Sequence, residues 1–192
     1  MARAIKRAAL FDTNSQARAE PLPSGIEGYV LTDDGVIPNN SKLPVVVYRQ
    51  ALAFPEGMRA PERAFEALFT SNGWIAAWIN GIYAFHHYHS TAHEVLGLSK
   101  GFAAVQFGGA HGPIFDLCSG DAVVIPAGVG HCLLREEDLV VVGAYPEGQD
   151  WDLCRATQID RARALENIPW VRLPALDPVF GASGPVIALW HD

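Results

Sequence analysis

The sequence predicts a mostly β fold: a single antiparallel barrel with one packed helix and an extended C-terminal tail. Short apolar runs alternate with glycine-containing turns at fairly regular intervals, a pattern typical of all-β sandwiches and barrels. The chain has 192 residues, of which 49% are hydrophobic and 18% are charged, and this suits one soluble globular domain with a sizeable core. We therefore expect residues 1–192 to form one domain.

The N-terminal part of the chain predicts an arm followed by two strands. Residues 1–23 are polar and irregular, so we expect an N-terminal arm there. Apolar residues at 28–31 and 43–48 predict strands, with turn-forming residues between them. Pro44 suits a position at a sheet edge or at the start of a strand, because proline cannot donate a hydrogen bond to a neighbouring strand.

One segment predicts a helix clearly. Pro61 suits the first turn, where its missing N–H costs nothing, and Glu62 suits the positive end of the helix dipole. Gly73 provides a stop at the C-terminal end. An apolar stripe at helical spacing is typical of core packing, so we expect this helix to pack on the outside of the barrel. The stripe consists of Phe65, Leu68 and Phe69.

Residues 74–146 predict the barrel core, which contains a histidine-rich segment that begins at Gly81. The other apolar runs of this region predict strands separated by turns. One of these turns is expected at Lys100-Gly101. The predicted strands are 74–78, 94–98, 102–107, 114–117, 122–125, 132–134 and 139–145.

The composition changes after Pro146, and residues 147–192 predict a C-terminal extension. A short amphipathic helix is expected at 160–167. Four later prolines predict an extended tail that ends in the apolar run 186–190. Because an apolar end seldom stays exposed, we expect it to pack on the barrel or on a neighbouring subunit.

The histidine-rich segment predicts a pair of metal ligands. Successive side chains of a strand point to opposite faces, so His87 and His89 project from one face about 6–7 Å apart, where two imidazoles can bind one ion. Tyr83 and Phe85 share this parity and are candidates for the wall of a substrate pocket. Filling of the barrel interior accounts for these two aromatic residues equally well.

Two neighbouring residues compete for the next ligand position. His93 shares the parity of His89, so a straight strand would direct His93 toward the metal and the substrate pocket. Glu94 has the opposite parity and would face the metal only if the chain turned or bulged at 90–92, where the sequence is Ser-Thr-Ala. The residues themselves leave both alternatives open.

A further ligand candidate lies far along the chain. His131 follows the apolar run 122–125 and the turn signal Pro126-Ala-Gly128. Antiparallel strands bring such distant positions together, so His131 is expected to join His87 and His89.

These spacings resemble the two motifs of the cupin superfamily, and the flanks resemble small bacterial cupins without an assigned reaction. Arg135 stands where the second motif usually has Asn. The resemblance implies a jelly-roll type of β-barrel, and it implies that one divalent metal is held by His87, His89, Glu94 and His131. The first motif is carried by Gly81, His87, His89, Glu94 and Gly101, and the second by Gly120, Pro126, Gly128 and His131.

Three imidazoles and one carboxylate suit Fe²⁺, Mn²⁺, Ni²⁺ or Zn²⁺, and the ligand types do not choose among these ions. Four protein ligands leave positions open on a metal that prefers six. We therefore expect a metal-dependent enzyme that acts on a small organic molecule, either dioxygenase-like or an isomerase or decarboxylase. The alternative is a metal-containing module that binds or senses a small ligand without turnover. No catalytic residue is predicted beyond the metal ligands.

Composition restricts the partners of the protein. A net charge of -7 argues against nucleic acid, whose phosphates require clustered Lys and Arg. No apolar run approaches the roughly 20 residues of a membrane span. Three scattered cysteines fit a reducing compartment, so the cytoplasm is expected. A homodimer is expected because the strand at 45–48 and the tail at Trp190 offer apolar surface, and similar cupins are commonly dimers.

Overall fold

The computed structural model describes residues 25–191, in which the chain forms nine β-strands, three α-helices and one 3₁₀ turn. The predicted N-terminal arm, residues 1–23, lies outside the described residues. The strands are β1 (Ile26–Leu31), β2 (Asn40–Tyr48), β3 (Trp74–Asn80), β4 (His87–Tyr88), β5 (Glu94–Phe107), β6 (Ile114–Cys118), β7 (Ala122–Ile125), β8 (His131–Pro146) and β9 (Cys154–Arg155). The helices are α1 (Glu62–Ser71), α2 (Gln158–Asn167) and α3 (Pro185–Leu189), and the 3₁₀ turn is Ile168–Trp170.

The strands form one curled antiparallel sheet, which makes a half-barrel. Its order is β1-β2-β7-β5-β8-β4-β9, with β3 paired to β8 and β6 paired to β5. The long strands β5 and β8 lie at the centre, and each pairs with three neighbours. The predicted mostly β class is confirmed, whereas a fully closed jelly-roll barrel is not seen in residues 25–191.

The turn predicted at Lys100-Gly101 is wrong, because β5 continues through it. The pairing of β5 with β8 shifts register on both sides of Lys100, so the strand bulges there instead of ending. Gly101 has a φ of 78°, and the nearby Asp138 of β8 has a φ of 51°. These two left-handed residues let both strands bend and continue. For the same reason β8 includes both 132–134 and 139–145, which the sequence predicts as separate strands.

Hydrophobic side chains cover both faces of the sheet, so the core has two layers. Val45 and Val47 of β2 point into one layer, while Val46 and Tyr48 point into the other. The second layer also contains Phe65 of α1. A helix therefore covers one face of the half-barrel, and the opposite, concave face is left for the site described below.

Helix α1 lies where the sequence predicts it and packs on the second core layer. It follows Pro61 and ends before Gly73, which has a φ of 74°. Phe65 contacts the sheet at Gly97, where an added β-carbon would lie 2.6 Å from the phenyl ring. The missing side chain of Gly97 therefore permits the close approach of helix and sheet.

The C-terminal extension packs on its own chain. Helix α2 forms as predicted, but the extended conformation predicted for 186–190 is wrong for residues 186–189, because Pro185–Leu189 form α3. Pro185 lies in the first turn of this helix, where it replaces no hydrogen-bonded N–H. Trp190 is only 3% exposed, and its Nε1 donates to the carbonyl of Pro44 at 3.0 Å.

The surfaces that predict a homodimer are covered within the chain. Strand β2 pairs with β1 on one side and with β7 on the other, and Trp190 is buried. The homodimer stays a prediction, now without these surfaces to support it. None of the helices in the described part of the chain is long and apolar enough to cross a membrane.

Candidate metal centre

Three buried histidines meet where β4 pairs with β8. His87 is the first residue of β4 and pairs with His131, the first residue of β8, while His89 follows β4 directly. One ligand nitrogen from each lies within 4.8 Å of the other two. Antiparallel pairing thus brings together histidines from distant parts of the sequence, and this buried group could hold a metal ion.

Backbone carbonyls fix the tautomer of all three imidazoles. In each ring, Nδ1 contacts a carbonyl oxygen of a nearby segment. Because a carbonyl oxygen only accepts hydrogen bonds, each Nδ1 carries the hydrogen and each Nε2 keeps a free lone pair. This is the arrangement that orients metal-binding histidines in proteins. The carbonyls are those of Phe85 for His87 at 3.1 Å, Val129 for His131 at 3.3 Å and Asp152 for His89.

A bend after His89 decides which of the two competing residues faces the histidines. The chain bends at residues 90–91, and β5 then begins at Glu94. Glu94 Oε2 lies 3.5 Å from His89 Nε2 and 3.3 Å from His131 Nε2. The bend therefore breaks the parity of a straight strand, and the carboxylate lies beside the imidazoles.

His93 faces away from this group and lies in the core. Its ring contacts that of Trp190, with centroids 4.7 Å apart, and its Nδ1 accepts a hydrogen bond from the N–H of Ala127 at 2.9 Å. Burial lowers the pKa of His93 to about 3, so this ring is neutral at physiological pH. The structure thus places His93 beside the C-terminal tail instead of beside the other histidines.

The two carboxylate oxygens of Glu94 differ in their hydrogen bonding. Its Oε1 accepts a hydrogen bond from the Tyr145 hydroxyl at 2.8 Å, and that hydroxyl accepts one from Trp78 Nε1 at 3.2 Å. Its Oε2 is buried and makes no hydrogen bond to any residue within 25–191. Burying an unpaired carboxylate oxygen is costly, so this atom favours a bound cation between it and the imidazoles.

The electrostatics of the site keep His87 and Glu94 in the forms that bind a metal. Burial lowers the pKa of His87 to about 3, so its ring is neutral. Burial would raise the pKa of Glu94, but the imidazoles of His89 and His131 lower it below its usual value, so the carboxylate stays charged. Burial would lower the pKa of His89, but the neighbouring charge of Glu94 raises it, so a proton competes with the metal at this ring. Burial and the charge of Glu94 raise the pKa of Tyr145, which therefore remains a hydrogen-bond donor.

A cavity of about 190 Å³ opens above the histidines and Glu94. Tyr83, predicted as a pocket residue, lines this cavity. Phe85, the second candidate, lies behind Tyr83 and stacks on it with ring centroids 4.8 Å apart, and the third candidate, His93, does not reach the cavity. Apart from the three histidines and Glu94, half of the lining residues are aromatic, namely Trp78, Tyr83, Tyr145 and Trp151, and the others are Asn80, Gly81, Ile82 and Leu96.

A loop after β8 completes the site, and the sequence interpretation missed it. Trp151 stacks on Tyr145 with centroids 5.7 Å apart and makes a T-shaped contact with His89, with centroids 5.6 Å apart. The carboxylate of Asp152 accepts hydrogen bonds from the N–H and the hydroxyl of Ser90, both at 2.6 Å. These contacts fasten the loop to the bend after His89. The one signal in the sequence is a tryptophan isolated in the polar stretch 147–152.

Comparison with known proteins gives one close relative. No protein-family model matches the chain. Among solved structures, the plu4264 protein from Photorhabdus luminescens is 16% identical, with 72% of this chain and 94% of that chain covered, and the TM-score of 0.30 is too low to support an inference. "Uncharacterized protein YjlB" of Bacillus subtilis (strain 168) is 41% identical over 163 residues, which cover 84% of this chain and 94% of that protein. The chain therefore belongs to the family of Bacillus subtilis YjlB.

Proposed function

We propose that this protein is a metal-dependent enzyme that acts on a small organic molecule. The observation that carries the proposal is the convergence of three free Nε2 atoms, from His87, His89 and His131, beside the unpaired Oε2 of Glu94. These four donors fit one divalent ion of the Fe, Mn, Ni or Zn type. The carboxylate would offset part of the charge of the ion, which three neutral imidazoles do not do.

The residues around the four donors hold the donor side chains in their positions. The hydrogen-bond chain from Trp78 through Tyr145 holds Glu94 in place, and the Asp152 carbonyl orients His89. When bound, the ion supplies Lewis-acid or redox chemistry to a molecule in the cavity. This arrangement supports dioxygenase-like, isomerase or decarboxylase chemistry.

Membership of the cupin superfamily is the second part of the proposal. Its support is the pair of spaced motifs, the mostly β half-barrel and the three buried histidines. Arg135, which replaces the usual Asn of the second motif, lies over the ring of Phe102 at 5.2 Å and does not line the cavity. This substitution therefore leaves the four donors in place. A closed jelly-roll barrel and a location in the cytoplasm stay predictions.

A non-catalytic binding or sensing module is the second candidate, and one observation favours it. Apart from the four donors, the ionisable side chains that line the cavity in the described part of the chain are Tyr83 and Tyr145. No carboxylate or imidazole is therefore left to act as a separate general base on a bound molecule. A catalytic role requires that the metal itself be accessible from the cavity.

Cobalt substitution tests whether the metal is accessible. Metal-free protein loaded with Co²⁺ should absorb in the visible range, and added azide should change this spectrum because coordination positions face the cavity. A cobalt spectrum that azide does not alter would contradict the enzyme proposal and favour the binding module. Failure of the folded protein to take up Co²⁺ would contradict the metal centre itself.

A further inference from the structure

We propose that the cavity selects a planar aromatic molecule of about one six-membered ring that carries an oxygen donor for the metal and no second anionic group. This inference rests on the proposed function, since the oxygen donor is assigned to the metal. It goes further by naming the class of substrate from the walls, the size and the charge of the cavity.

The walls of the cavity are flat and held in place. Trp151 and Tyr145 stack with an angle of 13° between their planes, and the Tyr145 hydroxyl is fixed between Trp78 and Glu94. Tyr83, half exposed, stands at the same cavity. Because Trp151 and Tyr145 each cover one face of the other, a bound molecule contacts their remaining faces and edges. Aromatic rings prefer offset stacked or edge-to-face contacts with other rings, so a planar ring gains more from these surfaces than an aliphatic chain does.

The size of the cavity limits its occupant. Its volume is about 190 Å³. An apolar cavity of about 150 Å³ holds one benzene molecule, whereas sites for drug-sized ligands span about 300–1,000 Å³. One ring with one or two small substituents therefore fits within this volume.

The charges around the cavity disfavour a molecule that carries more than one anionic group. No Lys or Arg lines it in the described part of the chain, and the nearby Arg155 lies over the ring of Phe85 at 4.2 Å. Proteins recognise carboxylate and phosphate groups mainly with such cations. A divalent ion together with Glu94 leaves one net positive charge, and one anionic oxygen donor of the bound molecule can neutralise it at the metal. A second anionic group would be buried without a partner.

Calorimetric titration of the zinc-loaded protein with three probes tests the inference. Catechol supplies a ring and oxygen donors, protocatechuate adds a carboxylate to the same ring, and oxalate supplies oxygen donors without a ring. Catechol should bind at least about tenfold more tightly than oxalate, in line with the stacking contribution of the walls. It should also bind more tightly than protocatechuate, whose added carboxylate would be buried without a partner. Equal or tighter binding of protocatechuate or oxalate would overturn the assigned class.

Three variants show whether binding depends on the stacked wall. Trp151→Leu should weaken catechol binding about tenfold, whereas Trp151→Phe, which keeps a ring, should retain most of it. Trp170→Leu is the matched control, because Trp170 is 84% exposed and does not line the cavity. Unchanged catechol affinity in Trp151→Leu would overturn the proposed contact.

Zinc content measured on the same samples distinguishes a failure of the proposed metal centre from a failure of the proposed substrate class. Stoichiometric zinc without catechol binding would overturn the substrate class and leave the metal centre intact. Absence of zinc from folded wild-type protein would overturn the proposed function and this inference with it.

Discussion

Replacement of Asp152 with alanine should weaken metal binding although Asp152 donates no side-chain atom to the metal. Its carboxylate accepts two hydrogen bonds from Ser90, both at 2.6 Å, and its own carbonyl orients Nδ1 of His89. Alanine keeps this carbonyl but removes these two bonds, together with a third that the carboxylate accepts from the Cys154 thiol at 3.1 Å. The His89 imidazole should therefore lose its fixed orientation while remaining present.

The magnitude follows from the two bonds that Ser90 donates. Hydrogen bonds to a charged group contribute about 1.5–3 kcal/mol each, and at this partly buried carboxylate we take the lower value, which gives about 3 kcal/mol for the pair. Loss of such supporting partners of metal-bound histidines commonly reduces metal affinity about 10–100-fold. We expect a loss of metal affinity within this range for Asp152→Ala.

Competition with a chromophoric chelator measures this affinity directly. Asp150→Ala is the matched control, since Asp150 lies in the same loop and its side chain is exposed. Its carbonyl accepts the hydroxyl of Thr91 at 2.7 Å, and alanine retains that carbonyl. If Asp152→Ala and Asp150→Ala bound metal with the affinity of the wild type, the argument for the loop would be refuted.

Three other predictions concern stability and assembly. Chelation should lower the melting temperature, because an ion at about 100 times its Kd stabilises the folded state by about 2.7 kcal/mol, and an unchanged melting curve after verified metal removal would contradict a buried site. Trp190→Ala should cost about 3–5 kcal/mol in urea unfolding, whereas Trp170→Ala should change little, and equal effects would refute the packing described for the tail. Light scattering should show a homodimer, and a monomer at high micromolar concentration would refute that prediction.

The sequence allowed the centre of the site to be located because its signals are local. The spacing of His87 and His89 and the turn before His131 depend only on neighbouring residues. The choice between His93 and Glu94 depended on a bend, for which the Ser-Thr-Ala stretch gave a hint but no proof. The structure places that bend at residues 90–91, and Glu94 follows it beside the histidines.

Contacts between distant residues could not be predicted in this way. Tyr145 contacts Glu94, and Asp152 contacts Ser90, only because β8 folds back beside β5 and the following loop crosses the bend. Nothing in the local sequence of these residues specifies their partners. A single tryptophan in a polar loop, Trp151, was a clue only to a contact with some other residue.

The errors in secondary structure have a similar origin. Lys100-Gly101 has the composition of a turn, but pairing with β8 keeps the chain extended and converts the glycine into a bulge. The tail at Pro185 contains enough prolines to suggest an extended chain, yet a proline in the first turn is compatible with a helix. In both cases the tertiary context decided between two conformations that the local sequence permits.

Metal content is the most direct test of the central claim that the three histidines and Glu94 hold one divalent ion. Elemental analysis should compare the wild type with Glu94→Gln and His93→Asn, all purified identically and all shown to be folded. We expect a stoichiometric divalent metal in the wild type, nearly the same content in His93→Asn, and little or none in Glu94→Gln. Full metal content in Glu94→Gln together with loss in His93→Asn would contradict this account of the site.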